Sequence, residues 1–292
     1  MEIFLPQIWT QIESKYQILD FVGQGSFGQV VKAQSKTTGQ IVAIKLISDI
    51  FNNNYNAKKV VREIMILHQL SKMKENVFTT KIYDIIIAGD MDTFDSIFLV
   101  MDYTTHDIKK MLNSKIGPNF SFTEEHCITI IYNLLCAMNF MHSANIVHRD
   151  IKPSNILIDG QCGVKICDFG LSRTLPQQKE KVRRPPKRQL SDYIVSRWYR
   201  APEVILKEKE YDTKIDQWSL GCIAGELIMF TNENRIEKKF PKKILFPGNS
   251  CYPCSPCEKM KKNPGNKTQI ISEKDQLITI LDVLGAQSPQ DL

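Results

Sequence analysis

The run His148-Arg149-Asp150-Ile151-Lys152-Pro153-Ser154-Asn155 constrains this chain most, because Asp168-Phe169-Gly170 and then Ala201-Pro202-Glu203 follow it. Any one of these could be a turn whose polar groups satisfy one another. The three in this order require a fold that gathers distant loops. Upstream, Gly23-Gln24-Gly25-Ser26-Phe27-Gly28-Gln29-Val30 is a glycine-rich loop. Its G-x-G-x-x-G pattern also fits a dinucleotide-binding loop, which opens a helix. Here Val30 and Val31 continue a β-branched run past the glycines, which reads as strand, turn, strand. Val42-Ala43-Ile44-Lys45 is a further strand ending in a lysine. In Lys58–Leu70, Val60, Val61, Ile64 and Leu67 recur at helical spacing, and the same segment carries Glu63. Lys45 and Glu63 could form an ion pair or be two solvated surface charges of little energetic weight.

Together these motifs resemble the signature set of eukaryotic protein kinases. The resemblance implies an α+β, bilobal fold with a β-rich N-lobe carrying one helix and a mainly helical C-lobe. Phosphoryl transfer asks a protein for positioning and charge neutralisation more than for covalent chemistry. Asp150 is then expected to orient the attacking hydroxyl, and Lys152 to stabilise the transferring group in the pattern of Ser/Thr kinases. Asn155 and Asp168 would hold Mg²⁺, and Lys45, paired with Glu63, would meet the ATP phosphates. The loop from Val22 through Gly23, Gln24, Gly25, Ser26, Phe27, Gly28 and Gln29 to Val30 would cover those phosphates, since glycines let backbone amides approach them. Ile97–Val100 reads as a strand leading into Met101, Asp102, Tyr103 and Thr104, by position the hinge. Met101 is placed against the adenine pocket and Asp107 toward the ribose.

Ser191-Asp192-Tyr193-Ile194-Val195-Ser196-Arg197-Trp198-Tyr199-Arg200-Ala201-Pro202-Glu203 resembles the activation segment of mitogen-activated protein (MAP) kinases, within the CMGC group. Ser191 and Ser196 stand where that family has threonine, and both keep a hydroxyl. Asp216-Gln217-Trp218, Leu245-Phe246-Pro247-Gly248 and Asp275-Gln276-Leu277 match as well. By this resemblance Ser191 and Tyr193 are regulatory phosphosites. Phosphoserine would meet Arg62, Arg149 and Arg173, and phosphotyrosine would meet Arg197 and Arg200. Substrates would be proteins with Ser/Thr-Pro sites, and the activator an upstream dual-specificity kinase. An insert at roughly 249–273 resembles those of protozoan MAP kinases.

Residues 1–15 read as an N-terminal extension and 16–292 as the kinase domain: N-lobe about 16–101, hinge about 102–106, C-lobe about 107–292. The family continues for several helices beyond Leu292, so the C-lobe reads as incomplete and the chain as C-terminally truncated. Glu203 should then lack its arginine partner, and Ile223, Leu227, Ile280 and Leu284 should be exposed. A truncated ATP-binding decoy is therefore the alternative to an active enzyme.

At 292 residues, 42% hydrophobic and 24% charged, the chain is ordinary for a globular protein of about two lobes. The net charge of +6 is partly concentrated in Lys179–Arg188. That run reads as a solvated loop, and nucleic acid is not the expected partner because interleaved aromatics are missing. No secretory signal and no apolar run of about 18 residues is present, so no membrane partner is expected. Scattered cysteines suggest reduced thiols and a cytoplasmic or nuclear location. Cys251, Cys254 and Cys257 have zinc-ligand spacing without a nearby fourth ligand, and flanking prolines favour an irregular loop.

Overall fold

The computed structural model describes residues 5–25, 28–113, 121–175, 197–208, 212–231, 244–252, 254 and 274–285. The chain forms two compact units. One comprises Met1–His106 with Leu157–Asp159 and Lys165–Gly170. The other comprises Asp107–Ile156, Gly160–Val164 and Leu171–Leu292.

The first unit is built on strands β1 (Tyr16–Gly25), β2 (Gly28–Ser35) and β3 (Ile41–Ile47), helix α1 (Asn54–Ser71), and strands β4 (Ile82–Ala88) and β5 (Ser96–Asp102). The strands make one antiparallel sheet in the order β1-β2-β3-β5-β4. Successive side chains on a strand face opposite ways. Thus Val42, Ile44 and Leu46 of β3, with Phe98 and Val100 of β5, build one core cluster with Trp9 and Ile12. The latter two come from a short 3-10 helix, Gln7–Ile12, whose Trp9 ring lies 5.1 Å from that of Phe98. The opposite face supplies Ile47, Ile97 and Leu99, which cluster with Val60 of α1. Lys45 and Met101 share that second face by strand alternation, a consequence of the register Lys45↔Leu99 and Ala43↔Met101. Helix α1 starts at the asparagine run, where Asn53 caps it by accepting from Asn56 N at 2.7 Å. Its buried positions Val60, Glu63, Ile66, Leu67 and Leu70 follow the helical period.

Past β6 (His106–Asp107), the second unit is mainly helical, with α2 (Ile108–Asn113), α3 (Glu124–Ser143), β7 (Ile146–Val147) and β10 (Arg173–Thr174), while β8 (Ile156–Ile158) and β9 (Val164–Ile166) each contribute residues to both units. Helices α4 (Pro202–Ile205), α5 (Lys214–Phe230) and α6 (Gln276–Leu284) follow. Thr123 caps α3 through a capping box closed by His126, with Glu124 and Glu125 complementing the helix dipole. Helix α5 packs against α3 and is buried around much of its circumference. The expected exposure of Ile223, Leu227 and Ile280 is therefore corrected: each is at most 2% exposed, and only Leu284 of that set is open, at 61%. The apolar positions of α5 are covered by this chain's own elements, Phe230 for example by Phe122 at 5.3 Å between ring centroids. Among the described residues, no helix is long and apolar enough to cross a membrane.

Candidate active site

The first unit assembles one set of motif residues. The α1 face of β3 aims Lys45 at the helix, and its Nζ donates to Glu63 Oε1 at 2.6 Å. Asp168 Oδ1 stands 4.0 Å from the same amine. Burial by itself lowers the lysine's pKa, but Glu63, Asp168 and the hydrogen bond outweigh it, and Lys45 is held above its ordinary value. Burial also pushes the Glu63 carboxyl upward, against the pull of Lys45. With a 2.6 Å bond and a second carboxylate facing the amine, the charged lysine is the form this geometry stabilises. Asp168 adopts a left-handed backbone (φ 67°). After it, Gly170 offers its carbonyl to Arg62 at 3.2 Å, and a Cβ there would sit 2.8 Å from Lys59 Cε.

The glycine loop is a hairpin whose strands pair up to Gly25↔Gly28, with Ser26 and Phe27 outside the described residues. Gly28 is required by the fold: its φ is +125°, and a Cβ would fall 1.7 Å from Leu46 O of β3. Gly23 is different, since a Cβ there would meet nothing within 4 Å. Packing does not demand glycine at 23, whereas a phosphate approaching the backbone would. Gly23 pairs with Val30, which pairs in turn with Lys45, so this uncrowded backbone and the lysine lie at one level of the sheet, a layout open to the phosphates of a nucleoside triphosphate.

The second unit holds the other set. Asp150, 2% exposed, accepts from Lys152 Nζ at 2.8 Å and from Asn155 Nδ2 at 3.1 Å through Oδ2. Asn155 Nδ2 also donates to Asp150 O at 2.9 Å, which commits the amide nitrogen, while its Oδ1, met by the Ser154 hydroxyl at 3.5 Å, is the end suited to a hard cation. A Mg²⁺ ion needs only one or two protein oxygens when phosphates supply the rest. Asn155 and Asp168 are of the right type for that role. Among the described residues, no three His, Cys, Asp or Glu side chains form a metal cage.

A buried carboxylate to which the sequence pattern assigns no role holds this loop. Asp216 of α5, 1% exposed, accepts from His148 N through Oδ2 and from Arg149 N through Oδ1, each at 2.8 Å. His142 Nε2 meets Oδ2 at 3.0 Å. These bonds hold Arg149 in a left-handed conformation (φ 70°), which a non-glycine residue adopts at a cost of about 1–3 kcal/mol. An acid in the first turn of a helix ordinarily reads as a dipole complement, so only its contacts expose this role.

Met101 pairs with Ala43. Asp102 pairs with Val42, but its carboxylate is taken by Lys81 N at 2.7 Å and by Lys165 Nζ. The Tyr103 ring lies under Lys32 Nζ, 5.0 Å from the centroid. Asp107 Oδ1 accepts from Lys110 N at 2.8 Å in the first turn of α2. Arg149 donates to Leu171 O at 3.3 Å and Arg173 to Ser172 O at 3.0 Å. Arg197 donates to the carbonyls of Gly248 and Asn249, and the buried Arg200 hydrogen-bonds Cys251. Cys254 Sγ donates to Val204 O at 3.2 Å. Glu203 is half-buried and has no ion-pair partner among the described residues. Ser191, Tyr193, Ser196, the Lys179–Arg188 run and Cys257 lie outside the described residues. Beside Lys152 and Ser154 opens a cavity of about 130 Å³ with Trp198, Tyr199 and Glu226 in its wall.

Residues 16–278 match the protein kinase domain model. Mitogen-activated protein kinase 15 of Xenopus laevis is 40% identical over 246 residues, covering 84% of this chain and 38% of that protein. Extracellular signal-regulated kinase 2 of Dictyostelium discoideum is 40% identical over 236 residues, 81% of this chain and 57% of its own. Mitogen-activated protein kinase 7 of Arabidopsis thaliana is 32% identical over 282 residues, 97% and 63% respectively. The chain thus spans between 38% and 63% of the length of these relatives. With that match across most of the chain, and with the motif residues gathered into two sets around Lys45 and Asp150, this chain belongs to the protein kinase domain family and is similar to MAP kinases.

Proposed function

We propose that the protein is an ATP- and Mg²⁺-dependent protein serine/threonine kinase of the MAP kinase type, directed to Ser/Thr-Pro sites in intracellular signalling. The observation that carries this reading is Asp150, whose Oδ2 is held by Lys152 and Asn155 on a loop fastened by Asp216. Such a carboxylate can orient an acceptor hydroxyl and take its proton, with Lys152 beside it to offset charge on the transferring group. Lys45, kept charged, would hold the α- and β-phosphates. Bound Mg·ATP supplies the phosphoryl group and the cation that neutralises its oxygens. The cavity beside Lys152 and Trp198 would seat the residue that flanks the acceptor.

Ser191 and Tyr193 serve as the switch in this reading. Phosphoserine adds about two negative charges for Arg62, Arg149 and Arg173 to pair. Phosphotyrosine 193 would have to win Arg197 and Arg200 from the Gly248–Cys251 segment. An upstream dual-specificity kinase would add both groups, in the cytoplasm or nucleus.

The test is phosphotransfer to Ser-Pro and Ser-Ala peptides, with nucleotide affinity measured in parallel. Asp150→Ala is expected to keep nucleotide binding and lose turnover, and Asp168→Ala to weaken Mg·ATP binding too. After treatment with an activating kinase, Ser191→Ala and Tyr193→Phe should each fall short of the parent. Full turnover by Asp150→Ala would sink the assignment. Nucleotide binding by the parent without any transfer would support the decoy alternative.

A further inference from the structure

We infer that the Asp102–Lys165 ion pair is a positioning element for metal–nucleotide binding, tying the end of β5 to the turn that carries Asp168. The inference rests on the reading that Asp168 meets the metal of Mg·ATP. Asp102 had a nucleotide-side expectation, yet its carboxylate is 9% exposed and turned into the first unit. Oδ1 accepts from Lys81 N at 2.7 Å and Oδ2 from Lys165 Nζ, while Asp102 N donates to Lys81 O at 3.1 Å. Next to Lys81, Thr80 N donates to Ile166 O at 3.0 Å, and Ile166 N donates to Phe78 O at 2.8 Å.

These bonds close a ring: from Asp102 to Lys81, along the chain to Thr80, across to Ile166, back to Lys165 and so to Asp102. The fully buried Asn76 ties the ring to the helix that bears Glu63, since Nδ2 donates to Leu70 O at 3.0 Å and to Thr79 Oγ1 at 2.7 Å. Asp168 lies just beyond the segment that the ring grips twice, once by the Lys165 side chain and once by the Ile166 backbone. A shift of Lys165 is therefore transmitted to the Asp168 carboxylate, 4.0 Å from Lys45 Nζ. Groups hydrogen-bonded to a metal ligand typically change metal affinity or activity about 10–100-fold when removed, and a ring acting one step behind the ligand belongs at the low end of that range.

A pair that only stabilised the unit would weaken nucleotide binding whether or not metal is present. A pair that positions Asp168 acts through the metal. The experiment measures the Kd of ATP with Mg²⁺ and in EDTA for the parent, Asp102→Asn, Lys165→Met and Lys165→Arg, with melting curves to confirm folding. Asp102→Asn and Lys165→Met are expected to lose about tenfold in Mg·ATP affinity and less than about threefold in EDTA. Lys165→Arg, which keeps the charge, should recover most of the loss. If Asp102→Asn does not fold, Lys165→Met carries the measurement, because Asp102 then still has the Lys81 amide. Equal losses with and without Mg²⁺, or none at all, would overturn the inference. A folded parent that binds no Mg·ATP would instead overturn the nucleotide reading beneath it.

Discussion

Asp216→Asn tests whether one buried carboxylate sets the geometry of the catalytic loop. In the parent, the two oxygens accept from His148 N and Arg149 N at 2.8 Å each, and His142 Nε2 adds a third contact at 3.0 Å. Asparagine has nearly the same shape but keeps one acceptor oxygen and turns an NH₂ toward the other backbone N–H. A hydrogen bond to a charged acceptor, worth about 1.5–3 kcal/mol, is lost, and the stranded buried donor adds a further cost of about 1–3 kcal/mol. Roughly 3–5 kcal/mol of destabilisation follows, allowing for partial relaxation. For a chain of this size each kcal/mol moves the melting temperature by about 1.5–2 °C, so a drop of about 5–10 °C is expected. The same bonds hold Arg149 at φ 70° directly before Asp150, so the loop loosens where the chemistry is placed. A misplacement of about 1 Å can cost about 100-fold in rate. Thermal melts by circular dichroism and single-turnover phosphotransfer would read the two effects separately. A variant melting within about 2 °C of the parent, with unchanged turnover, would refute this account of the loop.

The two glycines of the hairpin should respond differently to alanine. Gly28→Ala places a Cβ against Leu46 O and should destabilise the fold by several kcal/mol in urea melts. Gly23→Ala should leave stability within about 1 kcal/mol while weakening nucleotide binding, and equal effects of the pair would contradict the cradle. Lys45→Met breaks a buried pair at a cost of about 3–5 kcal/mol. Because the folded pKa of Lys45 is raised, the pair's contribution is complete below the ordinary lysine value of 10.5 and fades as pH rises through the folded value. Parent and Lys45→Met melts should therefore converge as pH rises through the folded lysine value, above about 10. Cys222, buried in α5 beside Glu226, has its thiol pushed up to about 12. Mass spectrometry after iodoacetamide at pH 8 should find it unmodified while the partly exposed Cys136 and Cys162 react, and early labelling of Cys222 would show that α5 opens.

Contiguous and periodic features were legible from the residues alone. Val30 and Val31 running past the glycines announced a hairpin, and it is one. The spacing of Val60, Ile64 and Leu67 marked α1, while the Asn53 cap emerged only from the structure. That Lys45 meets Glu63 was legible through the kinase resemblance, and strand alternation with helix phase is the physical reason the two side chains face each other. What the sequence could not disclose are pairings between separately folded segments whose partners look ordinary. Asp216 resembles any acid in the first turn of a helix until the amides of His148 and Arg149 are seen to point at it. Asp102 reads as a hinge residue until its carboxylate turns inward to Lys165. Ile223 and Leu227 look exposed if covering helices are sought only beyond Leu292, yet the chain's own elements already bury them. Local pattern fixes the direction in which a side chain leaves the backbone. Tertiary structure decides which distant group waits there, because a buried charge or an apolar face is satisfied by whatever segment the whole fold brings against it.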